Sequence, residues 1–214
     1  MRTRIKRFLK QRTEMLAGVS HDLRTPLTRM KLQISLMKDE KAKSELEVDV
    51  NEMTSMLDSY VSFVKTESPE PIETIIINEL IGDIIKNFEK NGVDLVVKEK
   101  NIIQTSGRQI QLKRAFNNII DNSQRYAKKI EIILYTNEKD CVIEFNDDGE
   151  GIPRDKYEDV FKPFFTLDPS RNKLKGESGL GLTITRDIIR SHGGDVKLSE
   201  SNLGGLKLQV LLPL

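Results

Sequence analysis

The sequence has a single cysteine, Cys141, and no tryptophan among its 214 residues. One cysteine cannot form an intrachain disulfide, and this favours a reducing compartment. The sequence also lacks any run of about 18 apolar residues, and no charged-then-apolar signal segment opens it. No charge of one sign dominates, because 34 Lys and Arg residues stand against 33 Asp and Glu. We therefore expect a soluble, cytoplasmic chain, and its net charge gives no reason to expect nucleic acid as a partner.

The sequence does contain 37% hydrophobic residues, enough at this length for one large or two small domains. We predict two, because Pro69 and Pro71 fall in a short polar stretch that cannot continue a helix. The basic N-terminus fits either a solvated helical arm or the cytoplasmic flank of a membrane span. The predicted divisions are a basic arm at 1–12, a helical hairpin at 13–66, a hinge at 67–73 and an α/β domain at 74–214.

The first predicted helix presents a histidine on its polar face. At roughly 100° per residue, His21 lies opposite the apolar stripe and faces solvent. Thr25 projects from the same side, and Asp22 flanks the ring, where a carboxylate can hold the proton on one ring nitrogen. The other nitrogen then acts as a nucleophile, with Asp22 as the candidate base. The apolar stripe consists of residues three and four apart: Leu16, Val19, Leu23, Leu27, Met30, Ile34 and Met37.

A second helix is predicted after a polar break at residues 38–43. Two such helices form an antiparallel hairpin, but their broad apolar stripes leave too little core for a lone hairpin. We therefore predict a homodimer with a four-helix bundle; the alternative is a monomer whose hairpin packs on the C-terminal domain. The second stripe repeats four and three apart, at Leu46, Val50, Met53, Leu57, Tyr60 and Val64.

From residue 72 the pattern alternates between strands and helices. Asn78 is predicted to cap the first of these helices, and His192 to cap the end of the last. Helices over one face of a mixed, largely antiparallel sheet make an α/β sandwich. The predicted strands lie at 75–77, 93–98, 130–135, 141–146, 196–199 and 206–212, and the helices at 78–88, 109–126 and about 180–192.

Two asparagines on the long helix are candidate metal ligands. Asn118 and Asn122 lie four residues apart on one helical face. Their amide oxygens suit Mg²⁺, which keeps several waters and takes the rest of its shell from phosphates.

Glycines mark two turns that can approach a ligand closely. Gly149 and Gly151 follow Asp147 directly after a predicted strand. The run Gly179-Leu180-Gly181 precedes a helix whose unpaired N–H groups can cradle phosphate. The pair Gly204-Gly205 indicates only a turn before the final strand.

The run SHDLRTPLTRM at residues 20–30 resembles the phospho-acceptor box of sensor histidine kinases, and is particularly similar to the EnvZ-type osmosensor kinases. The family's nucleotide-binding boxes follow in order. Residues 118–122 resemble the N box, 147–152 the first glycine box, 161–165 the F box and 179–182 the second glycine box. The resemblance implies a dimeric hairpin followed by an α/β sandwich of the gyrase, chaperone and histidine kinase type.

The resemblance also implies roles for single residues. ATP would phosphorylate His21, and the phosphoryl group would pass to an aspartate in the receiver domain of a response regulator. Thr25 would help to position a water that dephosphorylates that regulator. Asn122 would bind Mg²⁺, and Asp147 would accept a hydrogen bond from the adenine amino group. The other implied nucleotide contacts are Asn118, Arg125, Tyr126, Gly149, Gly151, Gly179, Leu180 and Gly181.

The family usually carries sensor and transmembrane segments upstream. The resemblance therefore implies a parent protein in the inner membrane, with this part on the cytoplasmic side and attached only through segments outside this chain.

The sequence departs from the family at Glu177, where a further glycine is common. A carboxylate there would repel the polyphosphate or restrict the backbone. Two alternatives stay open: a phosphatase-dominated or non-catalytic dimeric docking module with weak ATP binding, and a gyrase-like or chaperone-like ATPase that forms no phosphoprotein. The His-containing hairpin argues against the second alternative.

Overall fold

The computed structural model describes residues 22–64, 70–88, 94–167 and 179–214. His21 and Glu177 lie outside these described residues. None of the helices in the described part of the chain is long and apolar enough to cross a membrane. The chain divides into two compact units, Met1–Ser68 with Thr166–Leu180, and Pro69–Phe165 with Gly181–Leu214.

The first unit contains the predicted helical hairpin. Helix α1 is described over residues 22–35, and helix α2 spans Glu40–Val64. Asp39 caps α2, because its Oδ1 accepts hydrogen bonds from the backbone N–H groups of Lys41 (3.0 Å) and Ala42 (3.1 Å). The predicted break at 38–43 is therefore wrong at its far end, since this capping carboxylate starts the second helix at residue 40.

The apolar stripes of the hairpin bury only some of their members. Leu23 and Met30 of α1 remain 46% and 44% exposed, and Met53 of α2 remains 52% exposed. One copy of the hairpin therefore leaves apolar surface uncovered along both helices. Among the residues that the structure describes, the buried core of the hairpin consists of Leu27, Ile34 and Val50, with Met37 and Leu57 packed against them.

The second unit is an α/β sandwich, as predicted. Its large sheet is formed by β2 (Asp94–Glu99), β4 (Lys129–Thr136), β5 (Asp140–Asp147), β6 (Asp195–Glu200) and β7 (Leu206–Pro213). Its helices are α3 (Ile77–Phe88), α4 (Gln109–Tyr126) and α5 (Gly181–Ser191). The strand order is β2-β4-β5-β7-β6, in which β2 and β4 are parallel and the other neighbours are antiparallel.

The core of this unit lies between the helices and one face of the sheet. Phe116 of α4 and Phe145 of β5 are almost fully buried, with ring centroids 6.0 Å apart. Cys141, at the other end of β5, is also buried, and this burial raises the pKa of its thiol to about 12. The one cysteine is therefore an inert core residue.

A small antiparallel ribbon stands apart from the large sheet. It pairs β1 (Glu73–Ile76) with β3 (Gln104–Gly107), and β3 is a strand that the sequence pattern did not predict. The predicted cap at Asn78 is wrong, because α3 already begins at Ile77. Asn78 instead accepts a hydrogen bond from the N–H of Ile103 (2.8 Å) and donates one to the carbonyl of Asn101 (3.1 Å). It thus holds the connection that leads into β3.

Candidate active site

A buried carboxylate stands at the end of the central strand β5. Asp147 is only 4% exposed. Its Oδ1 accepts hydrogen bonds from the backbone N–H groups of Gly149 (3.0 Å) and Leu206 (2.9 Å), and Ser123 of α4 donates to its Oδ2 at 3.4 Å. Burial raises the pKa of Asp147, and the three donors act in the opposite direction. Asp147 thus joins α4, the turn after β5 and the start of β7.

Two glycines allow the backbone to close around this carboxylate. The N–H of Gly205 donates to the main-chain carbonyl of Asp147 at 3.1 Å. A Cβ added at Gly205 would overlap Oδ1 of Asp147 and the backbone nitrogen of Gly149. A Cβ at Gly149 would lie 3.0 Å from the carbonyl oxygen of Tyr126. Gly205, which the sequence indicated only as part of a turn, is therefore part of the site.

The neighbouring carboxylate has a structural task. Asp148 is exposed, and its Oδ1 accepts hydrogen bonds from the backbone N–H groups of Lys128 (2.8 Å) and Lys129 (2.9 Å). These two bonds, with that from Lys129 the larger cause, lower the pKa of Asp148. Asp148 thereby ties the turn after β5 to the start of β4.

The asparagine pair lies where α4 meets the start of α5. Nδ2 of Asn118 donates a hydrogen bond to the carbonyl of Gly181 at 3.3 Å. The same carbonyl accepts from the hydroxyl of Thr185 (2.9 Å), which also lies 3.4 Å from the carbonyl of Ala115 on α4. Asn122 is half-buried one turn after Asn118. The structure thus brings together the two predicted boxes that contain Asn118 and Gly181.

The remaining predicted nucleotide contacts lie in three places. Arg125 and Tyr126 are exposed at the C-terminal end of α4. Gly151 has a φ of +69°, and Gly179 has a φ of +62°, a backbone conformation that favours glycine at both positions. Leu180 is 1% exposed.

The turn around Phe161 is bound to α5 by Thr183 and Arg186, which were not among the predicted site residues. The hydroxyl of Thr183 donates to the carbonyl of Phe161 at 2.9 Å. The guanidinium of Arg186 lies 4.4 Å from the centroid of the Phe161 ring and binds both carboxylate oxygens of Glu158 at 2.7 and 3.3 Å. The spacing of Thr183 and Arg186, three residues apart on one helical face, could have predicted that both contact the same neighbouring segment.

His192 connects the end of α5 to the start of α4. Its Nδ1 donates to the carbonyl of Ile188 (2.7 Å), so that Nε2 accepts from the backbone N–H of Arg108 (3.0 Å). Burial is the main cause that lowers the pKa of His192. The ring is therefore held in its neutral form, as a structural group.

On the first unit, Asp22 and Thr25 are exposed residues of α1. His21, directly before Asp22, lies outside the described residues. The structure therefore describes two of the three predicted catalytic residues.

Two family models match the chain. Residues 107–214 match the histidine kinase-, DNA gyrase B- and HSP90-like ATPase family, and residues 11–68 match the His Kinase A (phospho-acceptor) domain. The chain belongs to the sensor histidine kinases. The predicted recognition and fold class of this kinase core are confirmed.

The kinase core has relatives among curated proteins. It is 33% identical over 216 residues to the sensor histidine kinase GtrS of Pseudomonas aeruginosa and 31% identical over 226 residues to CpxA of Escherichia coli K12. Both alignments cover 100% of this chain, but 44% and 50% of those proteins. The chain thus spans about half the length of the curated relatives it matches. The finer likeness to EnvZ-type kinases stays a prediction.

Solved structures share the sandwich fold. The mycobacterial sensor histidine kinase MprB matches with a TM-score of 0.60 and 24% identity, over 67% of this chain and 97% of that one. The catalytic domain of histidine kinase ThkA matches with a TM-score of 0.60 and 23% identity, over 67% and 95%. At these identities the likeness shows the fold alone.

The residues of the kinase core fit the nucleotide that this ATPase family binds. Among the described residues, Oδ2 of Asp147 accepts a single hydrogen bond, from Ser123 at 3.4 Å, which leaves it acceptor capacity for an exocyclic amine. For Mg²⁺, the described residues contain no cluster of three or more His, Cys, Asp or Glu. The amide oxygens of Asn118 and Asn122 are of the ligand type that Mg²⁺ accepts alongside nucleotide phosphates.

Gly205→Ala is expected to distort the Asp147 site of the kinase. Its methyl group has no space beside Asp147 and Gly149, so the free energy of unfolding should fall by about 1–3 kcal/mol. The control is Gly82→Ala in α3, where a Cβ meets nothing within 4 Å and the change should stabilise by about 0.5–1 kcal/mol. Urea unfolding measures both, and equal stabilities of the two variants would contradict the prediction.

The kinase should lose stability in acid partly through His192. Folding lowers the pKa of His192, so the folded protein binds fewer protons at this residue than the unfolded protein does. The stabilising contribution of neutral His192 is therefore present above the unfolded pKa of about 6.5, and it is lost as the pH falls through the pKa of the folded protein. Protonation also sets an Nε2 donor against the N–H of Arg108. The midpoint of urea unfolding should therefore decrease more between pH 7.5 and pH 5.5 in the wild type than in His192→Gln. Parallel pH profiles would refute this role.

Proposed function

We propose that this chain autophosphorylates His21 with ATP and passes the phosphoryl group to an aspartate of a response regulator. One observation carries the proposal: helix α4 is hydrogen-bonded to both Gly181 and Asp147, in a chain whose other unit presents Asp22 and Thr25 on an exposed helical face. A nucleotide site and a phospho-acceptor helix in one chain are what intramolecular or cross-subunit phosphoryl transfer requires.

The residues divide the work between them. Asp147 would accept the adenine amino group through Oδ2, and the N-terminal N–H groups of α5 would bind phosphate oxygens. Asn122, with Asn118 beside it, would hold a Mg²⁺ ion, which supplies charge neutralisation of the phosphates when bound. Asp22 would hold the proton on one ring nitrogen of His21, so that the other attacks the γ-phosphorus and the bond to ADP breaks. Arg125, Tyr126 and the glycine turns would border the nucleotide.

The kinase core would work as a homodimer. The exposed apolar side chains of α1 and α2, among them Leu23, Met30 and Met53, are the surface that a second hairpin would cover in a four-helix bundle. We keep the domain bounds that the sequence predicts. Residues 13–66 would form this dimerisation hairpin, and residues 74–214 would form the ATP-binding domain.

The same helix would also serve regulator dephosphorylation. Thr25 is exposed one turn after His21 and would help to position the attacking water. The parent protein would lie in the inner membrane through segments outside this chain, with the kinase core on the cytoplasmic side.

Incubation with γ-labelled ATP and Mg²⁺ should give an acid-labile, alkali-stable label on the wild type and none on His21→Ala. The sequence has only two histidines, so His192→Gln is the matched control and should keep the label. Absence of label on a folded, dimeric wild type would overturn the kinase proposal. It would favour the docking or phosphatase-dominated alternative, in which the carboxylate of Glu177 weakens ATP binding.

Asp147→Asn should separate nucleotide binding from folding. The amide keeps an acceptor for Gly149 and Leu206, but it presents an N–H to the adenine amino group, so ATP affinity should fall at least about tenfold. The melting temperature should stay equal or rise, because burial of a carboxylate charge is relieved. Titration with a fluorescent ATP analogue and thermal melts measure the two effects, and an unchanged affinity would contradict the role of Asp147.

A further inference from the structure

Helix α4 receives its N-terminal cap from outside the helix. Its own N-cap residue, Arg108, makes no side-chain capping hydrogen bond. The carboxylate of Glu70 takes this place: Oε1 accepts from the N–H of Ile110 at 2.6 Å and Oε2 accepts from the N–H of Gln111 at 3.3 Å. These are two of the donors that a helix start leaves without an intrahelical partner, and a negative charge is favoured there.

Glu70 belongs to the hinge and not to a strand or helix of the sandwich. It follows the end of α2 at Val64 by six residues and precedes the start of β1 at Glu73 by three. The two residues between Glu70 and β1 are exposed, and Ile72 retains 65% of its surface. Within the described part of the chain, the two hydrogen bonds to α4 attach this part of the hinge to the second unit.

The helix that Glu70 caps also carries the candidate metal and phosphate ligands. Asn118 and Asn122 lie roughly 12 and 18 Å along the same rigid helix from Ile110. We propose that Glu70 is a positioning residue, whose carboxylate clamps the hinge to α4 and sets the point from which the nucleotide site is tethered to the phospho-acceptor hairpin. This inference rests on the autokinase function proposed above.

The clamp sets the length of the tether. A chain from Val64 to Glu70 spans at most about 20 Å, whereas a chain from Val64 to Glu73 spans about 30 Å. If Glu70 were released, the first residue of the chain held by the second unit would be Glu73 of β1, which pairs with Gly107. The effective concentration of the nucleotide site at His21 falls with tether length, by about twofold from chain statistics alone.

Glu70→Ala in the full chain tests the clamp. The variant should lower the autophosphorylation rate at saturating ATP by at least about twofold and leave the KM for ATP unchanged. Glu70→Gln, which keeps an acceptor for Ile110, should recover part of the rate. Glu73→Ala is the matched control, because it removes an exposed carboxylate of the same segment and should leave the rate unchanged.

A second substitution separates tethering from simple helix capping. Arg108→Ser places a hydroxyl at an N-cap whose backbone is already extended, with φ −101° and ψ 109°. Added to Glu70→Ala, it should restore the thermal stability of α4 but not the phosphorylation rate. Recovery of both would overturn the proposal and reduce Glu70 to a helix cap. A rate loss of equal size in Glu73→Ala would also overturn it.

Hydrogen exchange keeps this test separate from the kinase proposal. Backbone amides of Ile110 and Gln111 should lose protection in Glu70→Ala and keep it in Glu73→Ala, whether or not the wild type is labelled by ATP. Unchanged protection in Glu70→Ala would show that the clamp does not exist in solution. An unlabelled wild type with lost protection in the variant would instead support the clamp and reject the autokinase function.

Discussion

The geometry of the site depends on the hydrogen bonds that the buried carboxylate of Asp147 accepts. Removal of a charged group from water is costly, and here the cost is offset by donors from the backbone of Gly149 and Leu206 and from Ser123. Each donor belongs to a different segment. The turn after β5, the start of β7 and the helix α4 therefore take their relative positions from one residue, and Gly205 must lack a side chain to let them meet.

Helix α4 is held at both ends and in its middle by other parts of its unit. The backbone N–H of Arg108 and those of its first turn are bound by His192 and Glu70, Asn118 binds the start of α5, and Ser123 binds Asp147. The same helix thus contacts Glu70 at its first turn and carries Asn118 and Ser123 further along.

Helix α5 likewise binds more than one neighbouring segment, and one of them is the turn around Phe161. Arg186 binds that turn through an ion pair and a ring contact, while the first carbonyl of the same helix accepts from Asn118. One short helix thus connects the predicted N box to the predicted F box. Helix α5 therefore fixes the position of the turn around Phe161 relative to α4.

The sequence alone determined the elements whose apolar residues repeat with a clear period. The helix at 109–126 was predicted at its observed bounds, and the strands of the large sheet were predicted within one residue at each end, because burial of one face leaves a local 3.6-residue or two-residue pattern. Only tertiary structure decided the strand β3, whose residues Gln104–Gly107 show no apolar alternation, and the partners of Asn78. It also decided the roles of Gly205 and Glu70. Gly205 contacts a residue 58 positions away and Glu70 caps a helix 40 positions away, and no local pattern encodes a contact between segments that meet only in the folded chain.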